Sequence, residues 1–280
     1  MKEKILLILK GFIFGIANII PGVSGGTIAL TMGVYEDLIT SISNILSSFK
    51  KSMSILIPFF FGTVLAILSM SKVINYTLDK YPTQTILFFV GLILGGIPLI
   101  YKHLNIKKNK KIKKTNIALC IITFIFVIGL ALLGGGSGNY DISNPNIITM
   151  ILLFLVGAIA AASMVIPGIS GSFVLMLLGF YKPIIATVSD LTSMNHLVHN
   201  FMILIPFGLG VVIGIVLIAK LLEYLFNKYP LQTYFAIFGF IIASVITLLM
   251  TIKSVSVSEI IVGLILLVIG GVIGYKLGDE

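Results

Sequence analysis

Apolar runs separated by short polar joints make up most of this chain. Ten can be marked, over about 5–20, 27–46, 54–71, 84–101, 117–133, 147–166, 173–189, 201–222, 232–251 and 259–277. A helix needs roughly 20 apolar residues to cross a bilayer, and several runs fall short of that. Two Pro-Gly breaks interrupt the pattern, one after the first run and one after the sixth. The pieces beside them are expected to be half-helices, which either turn back as re-entrant hairpins or pair across the break as one interrupted crossing. The pattern predicts an all-α polytopic membrane protein built as two inverted repeats, each with a re-entrant or broken helix pair.

The breaks belong to a duplicated signature. Residues 19–35 read IIPGVSGGTIALTMGVY and residues 165–181 read VIPGISGSFVLMLLGFY, an offset of 146. The repeat continues between 55–91 and 203–239 at an offset of 148. Shared there are Ile-Leu-Ile-Pro-Phe, Gly62/Gly210, Lys72/Lys220, Tyr76/Tyr224, the two Lys-Tyr-Pro triplets, Gln84-Thr85/Gln232-Thr233 and Gly91/Gly239. The runs 117–133 and 259–277 correspond by position only. The halves are therefore 1–133 and 147–280, joined by a Gly-rich, Lys-free linker at 134–146 that is expected to be flexible and extracellular. The N-terminal stretch resembles a signal peptide. It is expected to be retained, because 155–168 supply its equivalent in the second half and no good small-x-small cleavage site follows.

Composition sharpens the picture. The 280 residues are 58% hydrophobic and 10% charged, where soluble domains run near a quarter charged, and the mean hydropathy is +1.15. The net charge of +9 comes from Lys alone, for there is no Arg. Arg is the usual bidentate clamp for phosphate and carboxylate, so an anion site here must draw on backbone N–H groups, hydroxyls or Lys. Cys120 is the single cysteine, which rules out an intrachain disulfide. No Walker loop is present, and His103, His196 and His199 are expected in loops without a cluster of acids or thiols, so no metal or other cofactor is implied.

Lysine also sets orientation. Residues 102–114 hold seven Lys and are placed in the cytoplasm by the positive-inside rule. The N-terminus with Lys2 and Lys4, the C-terminus, and Lys50, Lys51, Lys220, Lys228 and Lys276 then share that side. Lys72, Lys80, Lys182 and Lys253 fall outside with the linker, a minority. An odd number of crossings per half inserts the halves upside down relative to each other, and broken helices meeting near the midplane are a transporter plan. If the runs flanking each break instead form one crossing, the halves become parallel; the lysine distribution argues against this.

A break inside hydrocarbon exposes backbone groups at several kcal/mol each, and is tolerated where it lines a cavity or binds something. In Pro21, Gly22, Ser24, Gly25, Gly26 and Thr27, glycines allow close backbone approach, and the following helix start offers free N–H groups. Ser24 and Thr27 add hydroxyls. Pro167, Gly168, Ser170, Gly171 and Ser172 repeat the arrangement. A Pro/Gly kink that only lets helices pack closely is the plainer explanation, but duplication with Ser at matched positions favours a ligand site. Glu36, which follows the first signature and has Lys182 opposite it in the second, is the candidate proton-coupling carboxylate; a solvated helix end is the alternative. Asn18, one turn before the first break, could hydrogen-bond it, with Met164 as its counterpart.

The doubled Pro-Gly-Val/Ile-Ser-Gly-Gly/Ser signature in a ten-run, Lys-rich membrane protein resembles the polyprenyl-phosphate translocases of the PopT type, long filed as a domain of unknown function. The resemblance covers nearly the whole chain. It implies a cytoplasmic-membrane protein that returns undecaprenyl phosphate, the lipid carrier of cell-wall precursors, from the outer to the inner leaflet, with residues 21–27 and 167–172 as its site. The implied partners are the polyprenyl phosphate, membrane lipids and a co-transported proton or cation, without nucleic acid. The signature is also similar to the Pro-Gly-x-Ser-Arg-Ser loop of membrane undecaprenyl-diphosphate phosphatases. Here Gly25 and Gly171 stand where that Arg would be, and no Glu-x-x-x-Glu pair precedes either break. An enzyme without a cationic clamp or general acid has little with which to stabilise its transition state. A small-anion secondary transporter is the third possibility.

Overall fold

A computed structural model describes residues 2–20, 22–106, 112–133, 140–142, 146–192, 197–252 and 256–279. Among them the chain forms twelve helices and no strand. The first half contains α1 (Lys2–Ile19), α2 (Gly25–Thr31), α3 (Tyr35–Ser43), α4 (Phe49–Lys80), α5 (Pro82–Ile106) and α6 (Lys114–Leu133). The second contains α7 (Ile147–Val165), α8 (Gly171–Leu177), α9 (Tyr181–Thr192), α10 (Leu197–Lys228), α11 (Pro230–Met250) and α12 (Val257–Asp279). Seven of these, α4 to α7 and α10 to α12, are long and apolar enough to cross a bilayer. α1 carries Lys2, Glu3, Lys4 and Lys10 in 18 residues and falls outside that set.

Two expected runs are each split in the structure. Residues 27–46 become α2 and α3, and 173–189 become α8 and α9. The splits fall at Gly33 and Gly179, whose φ angles of +71° and +79° are ones that L side chains rarely adopt. α8 and α9 meet at 114°, so the second piece does not continue the first. The runs 54–71 and 201–222, by contrast, extend to 32 residues each in α4 and α10. At 1.5 Å per residue that is about 48 Å, longer than a hydrocarbon core.

Glycine decides how the long helices pair. α1 lies on α4 and α7 on α10 with backbones in contact: a Cβ on Gly11 would come 1.9 Å from the Phe59 carbonyl oxygen, and one on Gly157 would come 2.3 Å from that of Phe207. Small residues at such crossings let membrane helices approach closely. The contacts advance together along both chains (Gly11 to Phe59 and Gly15 to Thr63; Phe154 to Gly210 and Ala158 to Gly214), so each pair runs parallel. In each half a pair of short helices, α2 with α3 or α8 with α9, connects the two parallel long helices. The last helix of each half crosses over: α12 packs on α5, and α6 on α11. Thus 117–133 and 259–277, matched only by position in the sequence, occupy equivalent places.

The repeat is visible atom by atom. The Thr85 hydroxyl donates to the carbonyls of Thr77 (3.2 Å) and Tyr81 (2.8 Å), and that of Thr233 to Leu225 (3.1 Å) and Tyr229 (2.9 Å). Described residues of the linker are held rather than loose. The Tyr140 N–H donates to the Gly179 carbonyl at 2.9 Å, its ring stacks on Phe180, and Ile142 is buried beside Phe180 and Ile184. Asn146 caps α7 by accepting from the Thr149 N–H at 2.9 Å; 134–139 and 143–145 lie outside the described residues.

Candidate functional site

Each signature is a turn that ends one helix and starts another. Gly22 and Gly168 sit at φ +87° and +84°, so the turn itself requires glycine. Pro21 lies outside the described residues; Pro167 is buried. Ser24 and Ser170 then occupy the N-caps of α2 and α8 in extended backbone. Ser24 Oγ accepts from the Thr27 N–H at 3.5 Å. Ser170 makes no such cap bond, and its hydroxyl pairs with that of Ser172 at 2.8 Å.

The two turns touch, although 141 residues separate them in the sequence. Thr27 is 0% exposed, and its Oγ1 accepts the Gly168 N–H at 2.8 Å. Gly26 faces the same turn: a Cβ there would come 2.8 Å from the Val165 oxygen and 3.2 Å from the Pro167 nitrogen. Gly25 and Gly171 play matched parts. Cβ atoms there would meet Asn18 Nδ2 at 2.7 Å and Met164 Cγ at 2.3 Å, the residues one turn before each break. Asn18 itself donates to the Phe14 carbonyl in its own helix at 2.8 Å.

The two loops differ in their surroundings. Every residue of α2 is buried, and Ser24 is 2% exposed. In α8 only Gly171 is buried, while Gly168, Ser170 and Ser172 are half-buried. Access to the junction is therefore from the α8 side and from Gly22, which is exposed.

Several polar groups around the junction escape a reading of the sequence alone. The Tyr35 hydroxyl donates to the Val165 carbonyl at 2.9 Å, tying α3 to the end of α7. The Tyr234 hydroxyl donates to the Glu36 carboxylate. Glu36 is exposed, on the rim of a cavity of about 190 Å3 shared with Leu30, Gly33, Asp37, Leu99 and Tyr234. Lys10 is 5% exposed, and its Nζ donates to the Met32 carbonyl at 2.8 Å. A cation at the end of α2 is favoured by the unpaired carbonyls there. Tyr35 was visible as the duplicated last letter of the signature and Lys10 as a charge inside an apolar run; their partners were not.

His199 lies in the first turn of α10 and the backbone of His103 near the end of α5, rather than in loops; apolar sequence continues on one side of each and carries the helix through. His196 lies outside the described residues. Among the described residues no three His, Cys, Asp or Glu side chains gather as metal ligands.

Fold and site together define a polytopic helical membrane protein whose two Pro-Gly signature turns touch each other. The chain belongs to the VCA0040-like family, described as undecaprenyl phosphate translocase-like, which matches residues 14–260. It is 33% identical over 276 residues to a polyprenyl-phosphate transporter of Staphylococcus aureus, covering 98% of this chain and 96% of that one. It is 32% identical over 237 residues to a polyprenyl-phosphate transporter of Vibrio cholerae, covering 79% and 70%. No solved structure matches it. Both relatives bear a transporter's name, not an enzyme's.

Proposed function

We propose that this protein carries a polyprenyl phosphate, undecaprenyl phosphate in particular, from the outer to the inner leaflet of the cell membrane, and so recycles the carrier lipid of cell-wall synthesis. The observation that carries this reading is the contact between the two signature turns through Thr27 and Gly168. The barrier for such a lipid is its headgroup, since an ionised group in hydrocarbon costs tens of kcal/mol by Born estimates. The tail can stay in lipid. The headgroup needs a polar place between the leaflets, and the broken backbone at the junction supplies one. The phosphate binds between the two turns, against backbone N–H groups and the hydroxyls of Ser170 and Ser172, which are accessible in this arrangement. Ser24 and Thr27 lie behind them; Thr27 ties the turns together, and both hydroxyls complete the site as the halves move.

The parallel course of α1 with α4 supports five crossings per half and hence opposite insertion of the halves, with the N- and C-termini cytoplasmic. Rocking of one half on the other then changes the leaflet that the site faces. Inward movement carries negative charge toward a negative interior, opposed by roughly 2.3 kcal/mol per charge per 100 mV. A lipid gradient or a co-transported cation must offset this. Glu36 is the proton candidate: Glu36→Gln should flatten the pH dependence of transport, and an unchanged profile would clear it of that role.

A phosphatase fits less well. Its Arg would have to stand at Gly25 or Gly171, where even a Cβ meets Asn18 or, at Gly171, the Ala160 carbonyl oxygen at 2.6 Å.

The test is reconstitution in liposomes with two readouts, leaflet exchange of undecaprenyl phosphate and phosphate release from the diphosphate. Exchange without release is expected. Release would favour the enzyme, and small-anion flux with neither would favour an ion carrier. Ser170→Ala with Ser172→Ala should lower exchange about ten-fold or more, the loss of two hydrogen bonds to a charged group, without altering the thermal midpoint. Undiminished exchange in that double variant would remove these hydroxyls from the site.

A further inference from the structure

The halves repeat each other's sequence, yet one set of contacts is not repeated. α3 packs both on its own α4 and on α10 of the other half; α9 packs on its own α10 and has no comparable packing on α4. At the far end of α3, Asn44 Nδ2 donates to Glu223 Oε1 at 2.7 Å, spanning 179 residues of sequence. The pair stands in a polar pocket of about 390 Å3 with Ser43, Ser47, Lys220 and Asn227. The repeat offsets of 146 and 148 convert Asn44 and Glu223 into Asp190 and Asn75. The flanking residues match as well: Tyr35, Ile39 and Ser43 with Tyr181, Ile185 and Ser189, and Lys72 and Tyr76 with Lys220 and Tyr224.

An amide and a carboxylate thus face each other across the two halves on α3 and α10, and the repeat places the same two groups on α9 and α4 with their helices exchanged. The short helix now carries the acid and the long helix the amide. Either arrangement makes the same charge-assisted N–H to carboxylate bond. A change of amide to acid on one helix, matched by acid to amide on the other, is what a real contact demands and what two unrelated surface positions have no reason to keep. In this structure Asp190 and Asn75 are both exposed and no hydrogen bond joins them. The difference goes with burial, since α2 beside α3 is buried throughout and α8 beside α9 is not.

We propose that Asp190 and Asn75 form the second of two alternating gates. In the other state of the protein α9 docks on α4 as α3 docks on α10 here, the Asp190 carboxylate accepts from the Asn75 amide, and Asn44 parts from Glu223. The present arrangement is closed on the α3 side and open on the α8–α9 side, which lysine placement makes the outer one. The inference rests on the two-state transport reading above and adds the residues that hold each state.

The experiment uses the full chain in membranes, with Cys120→Ser to remove the native thiol. Asn44→Cys with Glu223→Cys, and separately Asn75→Cys with Asp190→Cys, are exposed to an oxidant or a short bis-maleimide. Both pairs are expected to cross-link, each cross-link halting the residual exchange of undecaprenyl phosphate that the reduced variant shows, and reduction of the disulfides restoring that residual rate. A 75–190 pair that never cross-links in a protein still exchanging lipid overturns the proposal. Cross-linking does not depend on the substrate: if both pairs join in a protein that moves no polyprenyl phosphate, the substrate reading fails and the two gates stand. In parallel, Asp190→Leu should lower exchange about ten-fold, as for loss of a hydrogen bond to a charged group. Asn75→Asp combined with Asp190→Asn should recover it, and an exchange rate indifferent to Asp190→Leu counts against the gate.

Discussion

Thr27→Val is expected to destabilise the protein by about 1–3 kcal/mol, the cost of leaving a donor without its acceptor away from water, and to abolish lipid exchange. Val keeps the branched shape and loses only the hydroxyl. That hydroxyl accepts the Gly168 N–H, in a side chain with no exposed surface. Gly168 cannot turn elsewhere for a partner, because its backbone is fixed at φ +84° and packed against Phe240. Thr27→Ser keeps the oxygen and should retain most of both stability and exchange. The thermal midpoint in detergent and the exchange rate in liposomes would be measured for both variants. If Thr27→Val matches the parent in both, the contact between the turns has no role in holding the halves together.

The second large effect is expected at the helix crossings. Gly11→Ala and Gly62→Ala place a methyl group within 2.0 Å of a carbonyl oxygen on the partner helix, that of Phe59 or Ile8. The obstructing atoms are backbone and cannot swing aside, so α1 and α4 must separate. Overpacking costs about 1–3 kcal/mol in ordinary cores, and these two should fall at or beyond the upper end. Gly157→Ala and Gly210→Ala should do the same to α7 and α10, with Cβ atoms at 2.3 Å and 2.0 Å from the partner backbone. The controls are Gly129→Ala and Gly208→Ala, where a Cβ meets nothing within 4 Å. Those should be neutral or gain up to ~1 kcal/mol from better helix propensity. Loss of the folded, monodisperse protein at the first four sites and not at the last two is the expected pattern. Equal tolerance at all six would contradict the close crossings.

Much of the architecture could be read without coordinates. The bilayer imposes a length and a composition on each crossing, so apolar runs mark helices almost directly. The Pro-Gly breaks were legible too, because Pro and Gly recur at matched positions inside apolar sequence. Gly33 and Gly179 were less so. They stood inside the quoted signature, but a glycine within an apolar run is compatible with an unbroken helix until its φ is known.

The amino-acid sequence alone determined seven of the ten marked runs as helices long enough to span, the duplication, the two glycine turns and the family, since each depends on residue type and spacing along one stretch of chain. Only the tertiary structure decided that Thr27 meets Gly168, that α6 and α12 trade partners, that Ser24 faces inward while Ser170 and Ser172 remain accessible, and that α3 is docked where α9 is not. Those outcomes depend on which surfaces of distant helices come within a few ångströms of each other. Two halves that share a sequence signature can pack differently, because a bound or open side is a property of the pair and is written in neither half by itself.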